Sequence, residues 1–527
     1  MAHWERICRL DQLSEGKGFK ATVRGRPLAL FLSRGAVYAL EDRCPHREGQ
    51  LSDGHCEHGE AVCPLHGWNF DLVTGVSPYN PRDHIATYPT QVTDGEVWVD
   101  ASAIAPLPSA SFGGYQGRWH RWSQDARGHY EVRRLAKGKG VAIEAMGAVP
   151  PPLTLPLSLD HLHLSAAQLH RLPRLKGEPV STRTLIGAGA GRPLAIALPA
   201  YVSHMSFGAL SPEAKVALAR GARQAGTLSC SGEGGMLPAE REAAALYVLE
   251  MASGYFGWNE DAIEAADAVE IKLGQSAKPG LGGELPAAKV TAEIAAVRGL
   301  TPGEDAVSPA RFPDIDSPEA MAERVGWLRQ HWPEKPVGIK LVANDIAADV
   351  GVALALDPDF ITVDGFGGGT GAAPVSVRDH FGMPLAAALP VARALVDAHN
   401  AEHPERPVSL VATGGIRTPA DVAKALALGA DACALATAAL FALGCEYYRA
   451  CNSGNCPVGI ATQRPDLRAR LEVETAATRV ANFFDGLRAV LEEYLRAMGL
   501  EDASQLDLRH LIPLSREAEE ALRPHER

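Results

Sequence analysis

The chain has 527 residues, room for two to four domains, and its 46% hydrophobic and 22% charged content describes a globular protein able to bury large cores. A net charge of −12 argues against a nucleic-acid partner, which needs a basic footprint to displace counterions. The longest apolar run, Ala432 to Leu443, is shorter than the roughly 20 residues a helix needs to cross a bilayer, so no membrane span is expected. Met1-Ala2-His3-Trp4-Glu5-Arg6 lacks the basic-then-apolar pattern of a secretory leader, and a cytoplasmic location is the simplest expectation. Nine cysteines is an odd number for a disulfide framework, and five of them fall in two clusters, the pattern of metal ligands in a reducing compartment.

Residues 1–104 hold short alternating strand signals separated by Gly and Asp turns: Ala21-Thr22-Val23, Leu28-Ala29-Leu30-Phe31, Ala36-Val37-Tyr38-Ala39-Leu40 and Val97-Trp98-Val99. They predict a small all-β domain. Residues 105–152, with Pro106, Pro108, Gly113, Gly114 and Pro150-Pro151-Pro152, read as a linker draped over the next domain. The remainder, 153–527, alternates β-branched runs with Ala-rich helical stretches. Candidate strands lie at 194–203, 227–231, 268–273, 305–309, 336–342, 360–364, 408–413 and 432–437, with helices at 212–225, 286–298, 317–331, 384–399 and 419–428 between them. Eight β-then-α units predict an α/β fold of the closed (β/α)₈ TIM-barrel type.

In the first domain, Cys44-Pro45-His46 is followed after sixteen residues by Cys63-Pro64-Leu65-His66-Gly67-Trp68. Two thiolates on one iron and two imidazoles on the other make a [2Fe–2S] centre of raised potential. Structural zinc uses the same residue types but usually pairs cysteines two to four residues apart, whereas each loop here supplies one Cys and one His. The segment resembles Rieske ferredoxins and the Rieske domains of ring-hydroxylating oxygenases. Gly49 and Leu65 stand where membrane Rieske proteins carry a further disulfide. An oxygenase would also need a mononuclear iron, and Asp160-His161-Leu162-His163 with His170 has the wrong spacing for one. Cys56 reads as a plain buried thiol.

A second cluster, Cys445, Cys451 and Cys456, holds three thiols within twelve residues and ends in Pro457. Three thiolates without an obvious fourth suit a [3Fe–4S] cluster, with Cys433 expected to pack inside the last strand. The run Cys445-x5-Cys451-x4-Cys456-Pro-Val-Gly-Ile-Ala-Thr-Gln463 resembles the cluster signature of the glutamate synthase FMN domain. The likeness extends from about Pro156 to Leu495. It includes Met205-Ser206-Phe207-Gly208-Ala209-Leu210-Ser211, Ser231-Gly232-Glu233-Gly234-Gly235, Gly274-Gln275-Ser276-Ala277-Lys278-Pro279-Gly280 and Gly368-Gly369-Thr370-Gly371-Ala372.

In a barrel of this kind, ligands sit at the C-terminal strand ends and a phosphate beyond strands 7 and 8. Gly414-Gly415 and Thr437-Ala438 occupy those places, where backbone N–H groups suit the phosphate of FMN. Lys340 puts a cation at the mouth of the fifth strand, fit to stabilise an anionic reduced flavin. The resemblance implies that Ser206, Gly368 and Gly369 contact the cofactor. It also implies that Gln275 and Lys278, placed after the third candidate strand, adjoin flavin and 2-oxoglutarate, that Arg298 holds a substrate carboxylate, and that Glu233 handles a proton or an amine. Three departures fall on the substrate side: Cys230-Ser231 for Asn-Thr, Glu284 for Gln, and Gly367 where an Asp is expected.

These motifs together imply an iron–sulfur flavoprotein oxidoreductase, with electrons passing from the Rieske cluster through [3Fe–4S] to FMN and substrate. In the first reading it is a reductive synthase acting on a keto acid and an amine, fed by a ferredoxin or reductase. No glutaminase nucleophile stands in residues 2–7, so ammonia is expected from solution or a glutaminase subunit, unless another amine serves. A second reading runs the chain of centres backwards, as an amine or amino-acid dehydrogenase. A third makes it a non-catalytic electron-relay subunit, against which Lys278, Arg298 and Glu233 argue. Homo-oligomerisation stays open.

Overall fold

The computed structural model describes residues 3–45, 49–65, 67–78, 83–104, 143–144, 146–147, 157–449 and 451–523. The chain divides into two compact units, Met1–Gly140 with Asn455–Pro457, and Val141–Gly454 with Val458–Arg527.

The first unit is all-β. Gly18–Val23, Arg26–Ser33, Ala36–Glu41 and Thr87–Tyr88 form one antiparallel sheet, and Trp4–Arg9, Glu96–Asp100 and Thr90–Thr93 form another. Four hairpins turn on the pairs Arg24-Gly25, Arg34-Gly35, His58-Gly59 and Asp94-Gly95, with φ positive at both residues of each. That is the turn whose twist matches the flanking strands. Inward residues of both sheets, among them Val23, Leu28, Leu30, Val97 and Val99, share one buried core. A third sheet, His55–Glu57, Glu60–Val62 and Asn69–Asp71, carries one loop of the Cys/His motif.

In the second unit eight parallel strands close into a barrel. They are β1 (Ala200–Val202), β2 (Leu228–Cys230), β3 (Leu246–Met251), β4 (Ala268–Lys272), β5 (Val337–Val342), β6 (Phe360–Asp364), β7 (Ser409–Thr413) and β8 (Ala432–Leu435). Among the described residues no helix is long and apolar enough to cross a membrane.

The barrel is as expected, but its strand list needs correcting. Segment 305–309 is not a barrel strand: only Ala306–Val307 is extended, paired with Glu284–Leu285 in an excursion beyond β4. The place in the barrel belongs to β3, whose Leu-Tyr-Val-Leu-Glu-Met run follows an Ala-rich stretch and was hidden by it. Gln275 and Lys278 therefore follow the fourth strand, not the third. The run 194–203 splits into Leu194–Ile196, paired with Thr184–Ile186, and β1. The run 432–437 stops at Leu435, and Thr437 opens a helix.

Helix α1 (Pro212–Gln224) follows β1, α2 (Thr437–Leu443) follows β8, and α3 (Val473–Met498) comes later in the chain. On α3 the buried residues Ala477, Val480, Phe484, Leu487 and Leu491 recur at helical spacing. Gly221 of α1 lies against this stripe: an added Cβ would fall 2.6 Å from Val480 Cβ and 2.7 Å from the Ala477 carbonyl oxygen. Gly486, on α3 itself, has nothing within 4 Å of such a Cβ. Replacing a helical glycine by alanine usually stabilises by about 1 kcal/mol, whereas overpacking costs about 1–3 kcal/mol. Gly486→Ala is expected to raise the barrel's melting temperature and Gly221→Ala to lower it. Thermal denaturation of the two variants should thus give shifts of opposite sign.

Candidate active site

In the first unit Cys44 and Cys63 are 1% and 2% exposed, each at the base of a loop. The Cys44 N–H donates to the Gly49 carbonyl at 2.8 Å, and the Cys63 carbonyl accepts from the Gly67 N–H at 2.9 Å. The two loops face each other, since a Cβ on Gly49 would fall 2.8 Å from Cys63 Sγ and 3.0 Å from a Leu65 methyl. Asp42 stiffens the first loop by accepting from the Ser52 N–H and hydroxyl, both at 2.7 Å. Two buried thiols on opposed loops fit the donor set of a two-iron cluster. His46 and His66 lie outside the described residues. Cys56 is half-buried on a strand, its thiol pushed up by burial. His161, one of the four rejected iron-site candidates, accepts instead from the Ser158 N–H at 3.1 Å.

In the second unit a cavity opens at the C-terminal strand ends, lined by Ser203, His204, Gln275, Lys340, Asp364, Gly368, Gly369, Thr413, Gly414, Gly415, Arg417 and Thr437. Glycines make it. A Cβ on Gly414 would collide with the Gly365 carbonyl, and one on Gly368 with the Ser276 hydroxyl. Gly414 also holds a left-handed φ of 103°. The α2 N-terminus has no side-chain cap, so its first N–H groups suit an anion. Lys340 Nζ lies 3.7 Å from Asp364 Oδ2, and Asp364 accepts from the Ser276 hydroxyl at 2.7 Å. The carboxylate that Gly367 does not supply thus comes from Asp364 at the end of β6. Phosphate donors at one side and a cation at β5 fit FMN. Of the residues expected at the cofactor, Ser206 and Ala438 do not line the cavity. Ser206 lies in the loop after β1, its backbone nitrogen against Gly232, and Ala438 is buried within α2.

Beside this cavity runs a buried ion network. Parallel register sets Glu250 of β3 beside Glu270 of β4. His204 Nε2 lies 2.8 Å from Glu270 and 3.8 Å from Glu250. Lys272 Nζ bridges Glu233 at 2.9 Å and Glu250 at 3.4 Å. Glu233 also accepts from the Ser308 hydroxyl. Burial presses the Glu233 carboxyl upward, but Lys272, the Ser308 hydroxyl and Lys278 outweigh it and hold it down at about 2.

Lys278 is 7% exposed and Arg298 5%, and among the described residues neither has a carboxylate oxygen within 4 Å. Burial lowers both groups, Arg298 to about 10. Arg298 donates to the Phe207 carbonyl at 2.7 Å and packs over the Phe256 ring, while its Nε has no hydrogen-bond partner among the described residues. Glu233 and Glu284 both act on the Lys278 charge, so the structure brings the expected Lys278, Glu233 and Arg298 into one neighbourhood. Gln275 lines the cavity instead and reaches Thr370 at 3.4 Å.

Cys445 follows the left-handed Gly444 that ends α2. In the loop beyond it, Tyr447 and Arg449 both hold φ of 57°. Lys289 Nζ donates to the Cys451 carbonyl at 2.8 Å. Cys433 is fully buried in β8, its thiol pushed up by burial. Cys456 belongs to the other compact unit.

Sequence reasoning missed His204, Glu250, Glu270 and Lys272. The signal was there for three of them: a charge inside a short apolar strand has to face a partner, and Glu250, Glu270 and Lys272 each interrupt such a run. His204 carries no comparable signal.

Comparison with known proteins assigns a family to each of the two regions. A family model described as a conserved region in glutamate synthase matches residues 160–501, and one for the Rieske [2Fe–2S] domain matches residues 3–89. The archaeal glutamate synthase (NADPH) of Methanocaldococcus jannaschii is 45% identical over 313 residues, which cover 58% of this chain and 60% of the relative. The archaeal-type glutamate synthase (NADPH) of Thermotoga maritima is 38% identical over 399 residues, 71% of this chain and 77% of the relative. A glutamate synthase large subunit-like protein of Rhizobium meliloti is 37% identical over 381 residues, 68% and 85% of the two chains.

Removing one partner from a buried ion pair costs about 3–5 kcal/mol. Lys272→Met, which strands Glu233 and Glu250, is expected to destabilise the barrel by that amount, and adding Glu233→Gln to cost less than the sum of the single changes. Denaturant titration checks both. Because Glu233 sits at about 2 against an ordinary 4.5, its stabilisation is complete above pH 4.5 and lost as pH falls toward 2. Glu233→Gln should flatten that acid limb of the stability profile.

Proposed function

The chain belongs to the glutamate synthase family and carries a Rieske domain at its N-terminal side, and on that footing we propose that it is an oxidoreductase that reduces the imine formed from a keto acid of the 2-oxoglutarate class and an amine. FMN in the β5–β8 cavity would supply hydride to the imine carbon, with single electrons entering through the Rieske [2Fe–2S] cluster and a [3Fe–4S] cluster on Cys445, Cys451 and Cys456.

The observation that carries this reading is the pair of buried cations Lys278 and Arg298, neither satisfied by a carboxylate among the described residues. A buried charge without a counter-ion is costly unless a ligand provides one. A dicarboxylate keto acid would do so. Glu233, ionised at neutral pH, cannot be the proton donor; it orients Lys272 and offers a carboxylate to an incoming ammonium or amine. Lys278, its proton loosened by burial, is suited to protonate the oxygen leaving the keto carbon. Asp364 and Ser276 hold Lys340 at the cavity. The glycines at 368, 369, 414 and 415, with the first turn of α2, would seat the phosphate.

The relatives' names specify NADPH. Here a ferredoxin or a reductase docking at the Rieske domain is the proposed donor, and the nitrogen comes from free ammonia, a glutaminase subunit or another amine.

The purified chain is expected to yield FMN, iron and acid-labile sulfide. Under anaerobic conditions its reduced flavin should be reoxidised by 2-oxoglutarate with ammonia. Reduction by amino acids with no reoxidation by any keto acid and amine would overturn the synthase direction in favour of a dehydrogenase. Lys278→Ala should lower kcat by about 10²- to 10⁴-fold while the absorption and paramagnetic spectra of both clusters stay unchanged.

A further inference from the structure

His204 has no part in the chemistry proposed above, yet it lines the flavin cavity together with Lys340. Its side chain is 4% exposed. Nε2 lies 2.8 Å from a Glu270 oxygen, an ion-pair separation whose angle is not that of a hydrogen bond, since neither atom has a hydrogen-bond partner among the described residues. Glu250 lies 3.8 Å from the same nitrogen. Glu270 accepts also from the Thr362 hydroxyl, and Lys340 is the other cation acting on it. The Cys230 thiol completes the surroundings of the ring.

Two questions decide what such a group does: whether it is charged, and whether it lets its proton go. Burial alone would favour the neutral ring, but Cys230, Glu270 and Glu250 outweigh it and push the imidazole up to about 10. The Cys230 thiol is itself pushed up by burial, so the carboxylates are the counter-charges at neutral pH. A buried ring with carboxylate oxygens 2.8 and 3.8 Å from one nitrogen is held as the cation and is a poor proton relay.

We propose that His204 is a positioning cation that sets the reduction potential of the flavin, by neutralising Glu250 and Glu270 at the edge of the cavity. The proposal rests on the reading of that cavity as the FMN site. Two-electron reduction of a flavin with uptake of one proton leaves the ring one unit more negative. Without the imidazolium, Glu250 would keep only Lys272, which Glu233 shares, and Glu270 only Lys340, so more negative charge would stand beside the ring and oppose its reduction.

The test is an anaerobic spectrophotometric titration of the flavin midpoint potential against reference dyes, on the whole chain. His204→Asn is expected to shift the two-electron equilibrium at least tenfold toward oxidised flavin, about 30 mV downward. Glu270→Gln, which leaves the imidazolium facing Glu250 alone, should shift the potential upward. The double variant should fall between the two, near the wild type. The Rieske potential serves as an internal reference and should not move. Flavin bound in full with all midpoints coincident would overturn the proposal and leave the FMN reading intact; so would His204→Asn and Glu270→Gln shifting the same way, the mark of a purely structural role. A wild-type chain without flavin would overturn both. Should His204→Asn fail to fold, the direction of the Glu270→Gln shift decides alone.

Discussion

Parallel register brings Glu250 and Glu270 side by side on adjacent strands inside a closed barrel, where water cannot screen them. Two carboxylates so placed stay ionised only if cations are built around them. His204 arrives from the end of β1 and Lys272 from the end of β4, and Lys272 passes the compensation on to Glu233 beyond β2. Glu233 in turn holds Ser308, which accepts from the Gly283 N–H and so secures the excursion after β4. Four strand ends are joined by one chain of charges. The positions of Lys278 and Arg298 depend on it, because both belong to segments that this chain fixes.

The cavity obeys a different constraint, the close approach of backbones. Gly365 and Gly414 bring the loops after β6 and β7 together, and the Gly367–Gly369 loop is covered by another segment. Gly147 lies so near the Gly367 and Gly368 carbonyls that a Cβ there would fall 2.5 and 2.9 Å from them. Met146 donates its N–H to Thr370 at 2.8 Å, and its sulfur is 3.9 Å from Cys451 Sγ. Arg449 donates to the Gly147 carbonyl at 3.2 Å. One short stretch thus touches both the glycine-rich loop and the cysteine loop. Electrostatics shapes the part of the barrel mouth around Glu233 and Lys272, and steric exclusion the part around Gly368 and Gly414.

Legibility in the sequence followed the same division. Glycine runs, the Cys-Pro-His and Cys-Pro-Leu-His motifs and short apolar, β-branched strands announce themselves locally. The small all-β region, the barrel, the loops carrying Gly368 and Gly414 and the strand carrying Lys340 were therefore visible beforehand. The strand containing Glu250 was not, because helical Ala-rich residues precede it and a charge interrupts it. The apolar segment around Ala306–Val307, which pairs with Glu284–Leu285, stood in its place. The ion network was hidden for a deeper reason: His204, Glu250, Glu270 and Lys272 come from three strands, and only register makes them neighbours. Asp364 is not announced by adjacency to the glycine run; its position at the end of β6 is what brings it to Lys340 and Ser276.

Restoring β3 to the barrel changes the compass of its mouth. In a ring of eight, the fourth and eighth strands stand on opposite sides, yet Gln275 after β4 and Thr437 at the start of α2 line one cavity. The glycine run after β6 closes the span: Gln275 reaches Thr370 at 3.4 Å, and Gly369 lies against the Thr437 hydroxyl. A stretch almost without side chains thus serves as a bridge between two shores of the barrel.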